Sequence, residues 1–309
     1  MYNLVERRRW YFLLSALLIA AGVAAMVYST LTFGAPVRLS IDFKGGSLFV
    51  LKFEEAAGEE AIRDVFTEFG QDDPIIQQLG APEDNTWQVR AGFVSPEESE
   101  AIRQALDEQV AALNVGESSI DTVSPTIGAE VTRAAAYAVV AAAVIILGFI
   151  WFAFRRVPNA FRFGACAIAA MLHDILVTMG VMSLLGILFG WEVDALFLTA
   201  VLTVVGWSVQ DTIVVFDRVR ENLPKYRGEA YEMVVNRSIL ETIHRSLATQ
   251  LNAIFVMIAI LLFGGPTIRQ FIAILLIGLT SGTYSSIFTA VPLLVSWEQG
   301  ELPFARRAA

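Results

Sequence analysis

Six stretches of this 309-residue chain, at residues 10–33, 134–154, 163–189, 195–216, 247–263 and 268–295, are almost wholly apolar. At 1.5 Å of rise per helical residue, a hydrocarbon core of about 30 Å takes roughly 20 residues to cross, and backbone polar groups in lipid must be satisfied within the segment. Each stretch is therefore predicted to be a transmembrane helix. A composition that is 55% hydrophobic, with mean hydropathy +0.58, also exceeds what a soluble domain of this length needs. The fold class expected is an α-helical integral membrane protein.

Basic residues orient the spans. Arg7, Arg8 and Arg9 precede the first, and Arg155, Arg156 and Arg162 lie between the second and third. Arg218, Arg220, Lys225, Arg227 and Arg237 follow the fourth, and Arg306 and Arg307 close the chain. By the positive-inside rule both termini are cytoplasmic. The first stretch is longer than the roughly 7–15-residue apolar core of a cleavable signal, which predicts a retained anchor. Between residues 34 and 130 six Lys/Arg accompany nineteen Asp/Glu, whereas the rest of the chain carries sixteen and twelve. The acidity thus belongs to the exported segment. With no exported basic face to neutralise phosphates, nucleic acid is not an expected partner. The expected organisation is a cytoplasmic tip and first helix at 1–33, an extracytoplasmic α+β domain at 34–130, and a five-helix transmembrane domain at 131–309 with a cytoplasmic loop near 218–244.

The exported segment has the pattern of a compact domain. Residues 37–41, 47–53, 75–79, 86–93 and 120–123 have strand composition, with a tight turn at Gly45-Gly46. Residues 59–69 repeat apolar Ala61, Ile62, Val65, Phe66 and Phe69 at helical spacing. Residues 96–113 form a second amphipathic helix behind Ser95-Pro96-Glu97-Glu98, where serine can cap and the acids favour the helix dipole. Strand, helix, strand, strand, helix, strand is the order of the ferredoxin-like unit. The domain holds neither histidine nor cysteine, so docking is expected of it rather than catalysis.

Asp211 stands inside the apolar run 204–216. A carboxylate in hydrocarbon costs several kcal/mol unless paired, hydrated or protonated, which marks it as a functional residue or as a satisfied structural one. Arg245 lies near the start of the next span at a similar depth. An Asp211–Arg245 pair is geometrically open if the two helices are neighbours, and snorkelling of Arg245 to lipid phosphates is the alternative. His173 and Asp174, in the middle of the third span, either extend a polar path outward or are hydrogen-bonded core residues. Being adjacent, they point about 100° apart on a helix and cannot share a metal as an i, i+4 pair does. No nucleophile elbow, zinc-protease helix or phosphate loop is present, and no cofactor is expected. Cys166, the single cysteine, reads as a packed thiol. Gly186-Ile187-Leu188-Phe189-Gly190 and Gly278-Leu279-Thr280-Ser281-Gly282 allow close helix approach, and Thr283, Ser285 and Ser286 can bond across helices. Residues 228–244, with an apolar stripe of Tyr231, Val234, Val235, Ile239 and Ile243, are expected to form a separate helix on the membrane surface.

Several segments together resemble the SecF family, the smaller half of the bacterial SecD–SecF accessory to the protein-export channel. They are Ile41-Asp42-Phe43-Lys44-Gly45-Gly46, Val123-Ser124-Pro125-Thr126-Ile127-Gly128-Ala129-Glu130, His173-Asp174, the run from Gly206 to Asn222 and the run from Gly282 to Phe288. The resemblance covers nearly the whole chain. It implies a resistance-nodulation-division transporter fold of two six-span halves, and a proton-linked aid to late polypeptide export across the bacterial cytoplasmic membrane. It also implies a SecD-like subunit, the SecY–SecE–SecG channel, a translocating unfolded polypeptide and protons as partners, within the lipid bilayer. The proton-site acid maps onto Asp211 and the family's arginine onto Arg245. Gln210 stands where the family usually has asparagine, His244 where it has serine, and Lys44 replaces a small hydroxyl residue. The chain is accordingly read as a non-enzymatic subunit. Two other readings are a structural assembly factor without proton conduction and a proton-driven exporter of small molecules or lipids, the latter disfavoured by an exported domain of only about 90 residues.

Overall fold

The computed structural model describes residues 3–155 and 159–302. Arg156, Arg306 and Arg307 lie outside the described residues. In chain order the elements are α1 (Arg8–Phe33), α2 (Ile41–Lys44), β1 (Gly46–Lys52), α3 (Glu59–Glu68), β2 (Ile75–Leu79), β3 (Thr86–Ala91), α4 (Pro96–Gln109) and β4 (Ser119–Val123). The long helices follow: α5 (Pro125–Phe154), α6 (Ala160–Phe189), α7 (Ala195–Lys225), α8 (Tyr231–Phe263) and α9 (Pro266–Ser285), then a π turn (Ser286–Ala290) and α10 (Val291–Glu298). The chain divides into two compact units, residues 1–38 with 137–309, and residues 39–136.

The first unit contains helices long and apolar enough to cross a membrane. Among the described residues of the whole chain six such segments occur, Val5–Phe33, Pro125–Phe154 (whose first part, to Ala136, belongs to the second unit), Ala160–Phe189, Ala195–Lys225, Tyr231–Phe263 and Ile268–Glu298, each overlapping one of the six apolar stretches. Their ends follow local chemistry. Gly34 (φ 77°) and Gly190 (φ 71°) close α1 and α6 in the left-handed conformation. The Asp194 carboxylate accepts the Phe197 N–H at 2.7 Å and starts α7. Pro292, which has no N–H to give, sits in the first turn of α10 directly after the π turn.

Small residues let these helices touch. A Cβ on Gly180 of α6 would lie 2.4 Å from the Gly22 Cα of α1, so any side chain there would push the two helices apart. Gly278 of α9 packs against Val204 of α7, and Gly282 against Ser208. A ring cluster of Phe154, Phe163 and Phe216, with centroids 5.2–6.3 Å apart, fills the space among α5, α6 and α7.

The second unit is a four-stranded antiparallel sheet in the order β2-β3-β1-β4. Period-two alternation on β1 turns Ser47, Phe49 and Leu51 to one face, with Phe53 following in phase just past the strand. Ile62, Val65 and Phe66 of α3 and Ile102 and Leu106 of α4 complete that core. The Phe49 and Phe66 rings meet edge to face at 4.9 Å. The turn into β1 uses Gly45 and Gly46, both at positive φ (77° and 124°).

Two local expectations are corrected. Residues 37–41 do not form a regular strand: Ser40 Oγ accepts the Asp42 N–H at 3.2 Å and caps the short helix α2 instead. Residues 228–244 do not lie on the membrane surface as a separate helix. From Tyr231 they are continuous with α8, and the stripe residues Val234, Val235 and Ile239 are buried, the last two within the main helical core. The stripe is a packing face.

Candidate functional site

Polar side chains converge inside the helical unit where α6, α7, α8 and α9 pack together. Asp174 of α6 is fully buried. Its Oδ1 accepts from Ser281 Oγ (2.7 Å) and from His173 Nδ1 (3.0 Å), and its Oδ2 from Ser208 Oγ (2.5 Å) and Ser285 Oγ (2.6 Å). Donors on α6, α7 and α9 thus surround one carboxylate. Ser281 and Ser285 are four residues apart, so both fall on one face of α9. Gly282, between them, leaves room: a Cβ there would come within 3.4 Å of Ser208 and 3.7 Å of Asp174 Oδ2. As an acceptor-only group the carboxylate is satisfied without a counter-ion.

Asp211, one turn beyond Ser208 on α7, has a different setting. It is 6% exposed, and its Oδ2 accepts a single hydrogen bond at 2.5 Å from Nε2 of Gln250 on α8. Gln250 is itself buried. The carboxylate is held by a neutral amide, and a buried charge so held has little to balance it.

The expected Asp211–Arg245 pair is not formed among the described residues. Arg245 precedes Gln250 by five residues, which on a helix is roughly 140° of rotation and about 7.5 Å of rise. With Gln250 turned to Asp211, Arg245 points elsewhere. It is exposed and lines a cavity of about 310 Å³ with Val214, Asp217, Arg218, Glu221, Glu241 and Thr242. In that cavity Arg218 is already bonded to Glu241 (2.5 Å) and Glu221 (2.8 Å).

His173 and Asp174 are brought together, as their neighbouring positions allow, through the Nδ1 contact. The imidazole also stacks on Tyr284 of α9, with ring centroids 6.1 Å apart at 28°, and the Tyr284 hydroxyl donates to the Tyr11 carbonyl of α1 at 2.9 Å. Among the described residues no group of three His, Cys, Asp or Glu side chains is placed to hold a metal ion. Cys166 is buried and unbridged.

Six apolar spans enclosing two hydrogen-bonded carboxylates, with a small α+β unit between the first two spans, define a multi-pass membrane protein of the transport class. Comparison with known proteins agrees. Residues 102–300 match the family described as protein export membrane protein SecD/SecF, C-terminal, and residues 30–57, which include Gly45-Gly46, match the SecD/SecF GG motif. A protein translocase subunit SecF of Anaerolinea thermophila is 45% identical over 305 residues, covering 97% of this chain and 96% of the relative. One of Thermobaculum terrenum is 43% identical, covering 96% and 94%. The crystal structure of SecDF from Thermus thermophilus, a translocon-associated membrane protein, superposes with a TM-score of 0.80 at 30% identity. That match covers 96% of this chain but spans only 39% of the SecDF chain. The chain belongs to the SecF protein translocase subunit family.

Proposed function

We propose that this chain is a subunit that couples proton flow to the late stage of polypeptide export across the bacterial cytoplasmic membrane. The observation that carries this reading is Asp211, a carboxylate inside an apolar helix whose only bonded side-chain partner among the described residues is the neutral Gln250 amide. In its ionised form Asp211 is a poorly balanced buried charge, and in its protonated form it is a hydrogen-bonding acid of nearly the same shape. Proton arrival and departure therefore change what holds α7 against α8, and adjacent helices repack. Moving one charge through 100 mV supplies about 2.3 kcal/mol, enough to bias a two-state equilibrium some tens-fold.

The other polar residues take supporting places in this relay. Asp174 and His173 continue the polar interior beyond Ser208, and Arg245, one of the residues lining the charged cavity, serves as a cation near the path between Asp211 and the cytoplasm. Residues 34–130 form an extracytoplasmic domain, both termini are cytoplasmic, and residues 131–309 hold the remaining five spans. The strand order β2-β3-β1-β4 with two helices on one face supports a ferredoxin-like unit. A SecD-like half, the SecY–SecE–SecG channel and the emerging polypeptide are the partners. The likeness to one part of the larger SecDF chain supports the first of these.

The test is export of a preprotein by membrane vesicles with and without an uncoupler. Wild-type chain should give gradient-dependent stimulation, and Asp211→Asn at normal abundance should not. Normal gradient-dependent stimulation by Asp211→Asn would refute the reading.

A further inference from the structure

Three of the four serine and threonine hydroxyls on α8 are bonded to the preceding turn of their own helix. Ser238, Thr242 and Thr249 donate to the carbonyls of Val234, Ser238 and Arg245 at 2.9, 2.9 and 3.0 Å, as hydroxyls inside helices commonly do. Ser246 does not. It is 3% exposed, and its Oγ is buried with no hydrogen-bond partner among the described residues. A buried polar group left unmet raises the free energy of the arrangement that buries it.

The position of Ser246 gives that cost a meaning. Thr242, Ser246 and Gln250 are buried at four-residue spacing while residues 247–249 are exposed, so the three form one inward stripe. The bonds Asp211–Gln250, Arg218–Glu241 and Asn222–Ser238 fix the antiparallel register of α7 and α8. In that register Ser246 is level with Val214, one turn of α8 from the Gln250 amide that holds Asp211. Val214 and Thr242 line the charged cavity of about 310 Å³ together with Asp217, Glu221, Glu241 and Arg245. Ser246 therefore stands between that cavity and Asp211 along the seam of the two helices. Its enclosed Oγ leaves no space beside it for a water molecule, so in this packing the seam is closed at that turn. Parting α7 from α8 there would let water from the cavity reach first the Ser246 hydroxyl and then Asp211. The hydrogen bond that the closed seam denies to Ser246 favours this opening.

We infer that Ser246 marks a gate on the α7–α8 seam, opened when water from the charged cavity reaches its hydroxyl, and that the opened seam is the path by which a proton passes from the cavity to Asp211. The inference rests on Asp211 as the group that takes up the proton. Each water on the path, and the Ser246 hydroxyl, gives up one proton as it accepts another. Both are regenerated, and the net change is one proton moved from the cavity onto the Asp211 carboxylate.

The test uses the full chain with its copurifying subunits. In a Cys166→Ala background, Thr242→Cys and Ser246→Cys are exposed in sealed membrane vesicles to silver ion, small enough to follow a water path, in chloride-free buffer. Thr242→Cys, on the cavity wall, should react quickly and show to which membrane face the cavity opens. Ser246→Cys should react from that same face, more slowly because the seam must first open. In proteoliposomes Ser246→Ala should lower gradient-driven proton flux about tenfold, the factor of one hydrogen bond, with a thermal midpoint unchanged or raised because an unmet hydroxyl has been removed. A residue that only fills space would give normal flux in Ser246→Ala. That result beside lost flux in Asp211→Asn would overturn the inference, as would a Ser246→Cys that silver does not reach while Thr242→Cys reacts. The silver result decides the path if Ser246→Ala does not assemble. Normal flux through Asp211→Asn would instead refute the proton-accepting role, and reaction of Ser246→Cys would still support the water path, since it requires no proton flux.

Discussion

The α+β unit and the membrane unit dispose of their polar groups in opposite ways. In the α+β unit the core is apolar, and Ser47 and Ser99 are its only buried polar residues among those described. Its polar contacts are often local, as in the box that starts α4, where Ser95 and Glu98, three residues apart, satisfy each other's backbone N–H groups at 3.3 and 3.0 Å. In the membrane unit the exposed faces are apolar, and polar groups turn inward to partners far away in sequence. Ser208 and Ser285 reach Asp174 across 34 and 111 residues, and Gln250 reaches Asp211 across 39. Solvent decides the pattern: a soluble fold discards polar groups into water, whereas a membrane fold must bond them to one another. Within the membrane unit the two carboxylates differ again. Asp174 is bonded by four groups and pins three helices, while Asp211 rests on one amide.

That contrast predicts a ranked set of effects. Asp174→Ala should be the most damaging, since it removes the common acceptor of three interhelical serine bonds. At roughly 0.6–1.7 kcal/mol each, their loss lowers stability by about 2–5 kcal/mol. Thermal unfolding in detergent should show a lowered midpoint, and an unchanged midpoint would remove the pin. Next comes Ser95→Ala, which should cost about 1 kcal/mol by loss of the cap. Its damage should stay within the α+β unit, read as faster amide exchange in the first turn of α4 with no change in the membrane helices.

The same cap predicts a pH effect. The Ser95 backbone N–H, and then its hydroxyl, hold the Glu98 carboxyl below its ordinary value of 4.5. Its stabilising contribution is therefore full above that value and is lost as the pH falls through the lower folded one. Amide exchange at the start of α4 should accelerate on acidification in wild type and lose that dependence in Glu98→Gln. Smallest of all, Arg245→Met should alter the unfolding midpoint by no more than about 0.5 kcal/mol, because Arg245 is exposed and is not the partner of Asp211. A large loss would mean that Arg245 pairs with Asp211 in another conformation.

Much of this was legible in the sequence because apolar length and periodicity are direct consequences of the solvent. All six spans, both amphipathic helices of the α+β unit and the strand at 75–79 follow from those patterns, and the strands expected at 86–93 and 120–123 form at 86–91 and 119–123. Residues 37–41 misled because strand composition there competes with a serine cap, and a four-residue helix leaves no period to read. Residues 228–244 misled because an apolar stripe on a charged helix fits a membrane surface and a protein core equally well. At the site, Asp211 and Asp174 stood out as charges in apolar runs. Ser285 was recognisable as an interhelical hydroxyl, although its acceptor was not, and Ser281 stood out only as part of a close-approach motif. Gln250 was missed because a counter-charge was sought for Asp211, and Arg245 offered one at the right depth. A polar amide in the adjacent apolar span was the available signal, and the 140° between positions 245 and 250 was the geometric reason to prefer one over the other.

The central claim is that Asp211 is the group that takes up the proton, and proton flux measures it most directly. In proteoliposomes containing the chain and its copurifying subunits, an imposed pH gradient should drive flux in the wild type. Asp211→Asn, folded and reconstituted to the same density, should abolish that flux, because its amide keeps a hydrogen bond to Gln250 but cannot titrate. Wild-type flux through Asp211→Asn would contradict the account.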